Sequence, residues 1–70
     1  MHAAVNPKAI LRRPLVEVET GLSRSEIYRR MSRGTFPKQV HLGPKSVGWY
    51  RGDVDAFLSN PAGYRAPEAA

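Results

Sequence analysis

The sequence has no cysteine among its 70 residues, which removes disulfides and thiolate-bound zinc as sources of stability. No apolar run exceeds three residues, too short to cross a bilayer or to form the apolar stretch of a signal peptide. A cytoplasmic protein with no membrane partner is therefore expected. Aromatic residues are few: one Trp, three Tyr and two Phe. A chain this short buries only about 60% of the surface that its unfolded form exposes. One small domain is expected, with a core of a handful of side chains and little scaffold to enclose a substrate.

Catalytic constellations are also missing. Ser23 has no nearby histidine to act as a base. Asp53 and Asp55 stand two apart at a helix start, where they favour the helix dipole. His2 and His41 have no cysteine and no close acidic partner. There is no phosphate-binding loop and no dinucleotide fingerprint. The expectation is a protein that is not an enzyme and uses no cofactor, metal or small-molecule ligand.

Positive charge is what the chain has in excess. Lys and Arg number 11 against 6 Asp and Glu, a formal charge of +5. Between Arg24 and Arg51 lie seven basic residues and one acidic residue, a net of +6, so the remainder sums to −1. A compact basic stretch of this kind suits a polyanion, and phosphate neutralisation would make its binding salt-dependent.

Residues 1–9 and 59–70 carry prolines without periodicity and read as flexible tails around a foldable unit at 10–58. Pro14 suits the first turn of a short helix ending before Gly21. Either Leu15 with Val18 or Val16 with Thr20 faces inward. The next helix is better specified. Ser23 followed by Glu26 is a capping box, and Leu22 with Ile27 is a hydrophobic staple. Ile27 and Met31 then face the core, Ser25, Arg29 and Arg33 face outward, and Gly34 ends the helix. From Phe36 to Tyr50 the period becomes two, with a turn over Gly43–Ser46, which reads as a hairpin anchored by Trp49. A last helix over Asp53–Leu58 takes Gly52 as its cap. The expected core is Leu15, Val16, Leu22, Ile27, Met31, Phe36, Val40, Leu42, Val47, Trp49, Val54, Phe57 and Leu58. Two helices joined by a tight turn and followed by a hairpin make a mainly α winged helix-turn-helix.

The run TGLSRSEIYRRMSRGTFPKQVHLGPKSVGWYRGDVDAFL resembles the AlpA family of phage and prophage regulators. That family is similar in turn to excisionase and MerR-type winged helix-turn-helix domains. The resemblance covers Leu11 to Leu58. It is carried by TGLSRS at 20–25, IY at 27–28, RGTFP at 33–37, V-x-L-G and VGW in the wing, and DVDAF at the end. Two positions depart from the family pattern: Glu26 stands where Thr is common, and Gly52 where Ser is common. Glu26 reads as a cap rather than a base reader.

The resemblance implies a double-stranded DNA-binding transcription regulator. Its recognition helix, about 23–33, would enter the major groove, with a wing, about 38–50, on the backbone or minor groove. Arg24, Ser25, Tyr28 and Arg29 match the contact-bearing positions; Arg33 shares the outward face of Ser25 and Arg29, while Arg24 and Tyr28 flank the apolar stripe. Arg24 and Arg29 suit guanine edges or phosphates, and the Tyr28 hydroxyl suits a phosphate. Lys38, His41 and Lys45 border the wing. So short a reader needs a second copy on adjacent sites or a partner protein. An excisionase-like directionality factor that bends DNA and contacts an integrase would use the same surface. An adaptor that binds protein through this fold would be insensitive to loss of Arg24 and Arg29.

Overall fold

The computed structural model describes residues 6–67; His2 and the ends of both expected tails lie outside them. The elements in chain order are β1 (Ile10–Leu11), α1 (Arg13–Thr20), α2 (Arg24–Ser32), β2 (Val40–Gly43), β3 (Ser46–Tyr50) and α3 (Arg51–Ser59). The strands form an antiparallel sheet in the order β1-β3-β2. The arrangement is a mainly α domain with a small β wing, as the sequence patterning indicates.

Local chemistry explains the helix ends. Pro14 lies in the first turn of α1, and Gly21 closes it at φ 74°, donating its N–H to the Glu17 carbonyl at 2.8 Å. Ser23 caps α2 by accepting the Glu26 N–H at 3.2 Å. Gly34, at φ 76°, ends that helix: its N–H bonds to the Met31 carbonyl and that of Thr35 to the Arg30 carbonyl. This paired pattern is a Schellman motif. The return half of the capping box is replaced, because two arginines take the Glu26 carboxylate.

The core consists of Leu11, Val16, Ile27, Phe36, Trp49, Val54 and Phe57, with Leu22, Met31 and Tyr64 packed against it. Phe36 meets the edge of Trp49 at 6.2 Å and Phe57 at 4.7 Å between ring centroids. The Trp49 indole N–H donates to the buried Pro37 carbonyl at 3.0 Å, so the one polar atom of the ring is satisfied.

Three expected core residues lie outside. Leu15 is 42% exposed and Val18 79%, so α1 turns Val16 inward, with Thr20 half-buried one turn later. Leu11, which pairs with Trp49 through β1, supplies the core side chain at this end. Leu42 is exposed because the β2–β3 register shifts between His41 and Gly43, leaving Leu42 without a strand partner. Leu58 sits at the margin of α3, whose inward positions are Val54 and Phe57, one turn apart. Val40 and Val47 are half-buried.

The segments flanking 10–58 are fastened to the domain. The carbonyls of Pro7 and Ala9 accept the N–H groups of Gly52 and Arg51, both at 2.8 Å. Gly52 therefore lies inside the first turn of α3, and Tyr50 takes the cap position. Tyr64 meets Phe57 at 5.7 Å, and Ala66 donates to the Gly34 carbonyl at 2.8 Å.

An ion pair ties α1 to α3. Arg51 grips Glu19 with two bonds of 2.7 and 2.9 Å and reaches Asp55 at 3.5 Å. These bonds hold the Glu19 carboxyl below its ordinary value of 4.5, against the opposing effect of burial. A carboxyl lowered on folding adds stability that is full above 4.5 and lost as pH falls through the folded value. Urea melts at pH 7 and pH 3 should therefore show a larger acid loss for the native chain than for Arg51→Ala. Equal losses would remove this pair from the acid response.

Candidate nucleic-acid interface

Helix α2 touches the body of the protein through one stripe. Ile27 is buried and Met31 half-buried, while Arg24, Ser25, Arg29, Ser32 and Arg33 are exposed. At 3.6 residues per turn, Arg24, Tyr28, Ser25 and Arg29 fan across an arc of about 140°. Helix α1 carries Val16 against the same core, and the short Gly21–Ser23 connection fixes the angle at which α2 leaves it.

The arginines of α2 differ in their surroundings. Arg29 makes bonds of 3.0, 2.7 and 2.6 Å to the Glu26 carboxylate, and Arg30 adds one of 2.8 Å. Hydrogen bonds from Arg29, then Arg30, hold the Glu26 carboxyl below its ordinary range. Glu26 is thus a side-chain clamp, where the sequence suggested a helix cap. Arg30 also lies over the Phe57 ring at 6.0 Å, which ties it to the body of the fold. Arg24 has no carboxylate within 4 Å among the described residues and lies 5.7 Å from the centre of the Tyr28 ring. The Tyr28 hydroxyl, expected to seek a phosphate, is directed at the Gln39 side-chain oxygen at 3.5 Å.

An open cleft of about 380 Å³ lies where the start of α1, the first turns of α2 and the wing tip meet. Arg12, Arg13, Arg24, Tyr28, Lys45 and Val47 line it, with Pro14. The cleft unites Arg24, Tyr28 and Lys45 from the expected site residues. It adds Arg12 and Arg13, which lie outside the basic stretch from Arg24 to Arg51, in the part of the chain whose charges sum to −1. Their one sequence signal is their place directly before Pro14, at the mouth of the first helix. Conversely, Arg51 leaves the basic face, because Glu19 and Asp55 occupy it.

The other expected residues stand apart from the cleft. Ser25 and Arg29 occupy the outward side of α2, and Arg33 is its C-terminal cap. Lys38 is exposed on the segment leading to β2, and His41 is exposed opposite Val47 in the hairpin. Among the described residues no group of three His, Cys, Asp or Glu is placed to hold a metal ion, and no helix is long and apolar enough to cross a membrane.

Comparison with known proteins gives a consistent set of relatives. Residues 9–61 match the family model described as prophage CP4-57 regulatory protein (AlpA). An uncharacterised protein of Enterobacteria phage P4, ORF88, is 42% identical over 55 residues, which cover 79% of this chain and 62% of that protein. The DNA-binding transcriptional activator AlpA of Escherichia coli (strain K12) is 43% identical over 56 residues, covering 71% of this chain and 80% of that one. The chain thus spans less than two thirds of the phage P4 protein and four fifths of the E. coli protein. No solved structure matches it.

Proposed function

Because this chain belongs to the AlpA family of prophage regulatory proteins, we propose that it is a sequence-specific regulator of transcription that binds double-stranded DNA. The observation that carries this reading is the outward face of α2. It is exposed, rich in arginine and held rigidly on the core by Ile27, with a capped start and a locked end. Such a helix fits the major groove, where arginine can grip guanine with two hydrogen bonds. The wing then borders the sugar-phosphate backbone, with Lys38, His41 and Lys45 on its exposed side.

Helix α2 has nine residues, a length of about 13 Å, and so spans roughly four base pairs. Full specificity at a natural site therefore takes a second copy on an adjacent site or a second DNA-bound protein. Selection of bound duplexes from a random pool, followed by footprinting, tests the reading directly. A recovered motif with a fixed spacing supports it, and recovery of no preferred sequence refutes it.

Within that assay Arg29 is the base reader. Its guanidinium is exposed and shares Glu26 with Arg30, so it can turn from the carboxylate to a base without leaving a buried charge behind. Arg29→Ala should cost about tenfold in preference for the selected duplex over one substituted at the contacted pair. The melting temperature should barely change, since an exposed pair adds little stability. Unchanged preference would remove Arg29 from the reading face.

A further inference from the structure

We infer that the cleft between α1, α2 and the wing tip is the seat of one backbone phosphate of duplex DNA, gripped by Arg12, Arg24 and Lys45. The inference rests on the DNA-binding reading above and adds a site to it. Four cationic side chains line the cleft, and one of them, Arg13, is neutralised by Glu17 at 2.5 Å. The other three have no carboxylate within 4 Å among the described residues. Like charges brought together by three separate elements repel, and an anion between them turns that repulsion into attraction.

Two of the three are also held in place. The Arg12 Nε–H donates to the Val47 carbonyl at 3.0 Å, which fixes the guanidinium and leaves its terminal amino groups for an anion. Arg24 rests against the Tyr28 ring. A planar fork fixed in advance loses little freedom when it grips a phosphate. Lys45, at the two-residue turn of the hairpin, supplies a mobile point charge from the far wall. The cleft is open and about a dozen times the liquid volume of one water. That room admits a phosphodiester with its flanking sugars.

The site narrows the role of Arg24. The sequence leaves it between a base edge and a phosphate; as a wall of the cleft it takes the phosphate. With Arg24 on the backbone at the start of α2, Ser25 and Arg29 are the side chains left to meet the base edges. The seat would thus set the register of the recognition helix.

Binding by fluorescence anisotropy, on the selected duplex and on a scrambled one across several salt concentrations, tests the assignment. Arg12→Ala, Arg24→Ala and Lys45→Ala should each weaken both duplexes by about tenfold. Preference should be unaltered, and the slope of log affinity against log salt should fall by about one. Methylphosphonate placed at one backbone position at a time should reveal a position that weakens the native protein and leaves Arg12→Ala unaffected. Because Arg12 also bonds the hairpin, Lys45→Ala at the exposed turn repeats the test without touching that bond. Unaltered salt slopes, or the same methylphosphonate pattern in native protein and Arg12→Ala, would overturn the seat. If that happens while Arg29→Ala still loses preference, the DNA reading stands and the seat alone falls; if the native protein holds no duplex, both fall. Titration with inorganic phosphate covers the other source of the anion. Amide shifts around the cleft, together with duplex binding independent of Arg12, would make it a free-anion pocket and refute the inference.

Discussion

Trp49→Ala should leave the protein unfolded at room temperature. Replacing a fully buried Trp by Ala costs about 3–5 kcal/mol, and a 70-residue domain has roughly 4–10 kcal/mol in total. Here the loss is at the upper end for two reasons. Trp49 is fully buried at the junction of β1, β3 and the Phe36 ring, so the void opens in the middle of a seven-residue core. Its removal also strips the Pro37 carbonyl of its donor, and an unsatisfied buried acceptor costs about 1–3 kcal/mol more. Circular dichroism and amide dispersion should show a largely disordered chain, with DNA binding lost alongside the fold. Trp49→Phe keeps much of the volume without the indole N–H, so it should fold with a lowered melting temperature. A cooperative melt of Trp49→Ala near that of the native protein would show that the core does not depend on this ring.

What the sequence revealed of this architecture was what short-range chemistry decides. Helix α2 was legible in full because Ser23, Leu22, Ile27 and Gly34 all act within four residues of the structure they specify. The hairpin was legible through its period of two and its Gly-Pro-Lys-Ser turn. Strand β1 was not, because two residues have no period. It exists only through pairing with Trp49 and Tyr50, nearly forty residues away. The same distance hid the choice between Val16 and Leu15 on α1, since Leu11 takes its place in the core only once β1 has formed.

The candidate site divides along the same line. The outward face of α2 could be read from helical spacing, yet the clamp on Arg29 could not. Ser23 and Glu26 at cap spacing predict a reciprocal bond, but two arginines three and four residues on compete for the same carboxylate, and the charged donors take it. The cleft joins Arg12 to Lys45 across the fold, a proximity that follows from the β1–β3 pairing and has no local signature. Tyr64 stood alone in a stretch rich in Pro and Gly, and only the tertiary fold brings it to Phe57.

That dependence on β1 leads to the second large effect, at Gly48. A Cβ added there would run into the Ile10 side chain and lie 2.9 Å from the Leu11 carbonyl oxygen. The side chain can move aside, but the carbonyl belongs to the backbone of β1. Gly48→Val should therefore destabilise the domain by about 1–3 kcal/mol, even though Val has the higher strand propensity. The loss should be greater if β1 detaches, because Leu11, 5% exposed, leaves the core with it. Arg12 directly follows Leu11, so the wall of the cleft moves too, and DNA affinity should fall even under conditions where the variant remains folded. Gly43→Val is the matched control: a Cβ at that position meets nothing within 4 Å, so it should melt close to the native protein and bind DNA comparably. The comparison separates close approach from strand propensity, since both substitutions place Val in the same hairpin. Equal melts for the two variants would mean that β1 packs against β3 more loosely than these distances allow, and the fixed position of Arg12 would lose its structural cause.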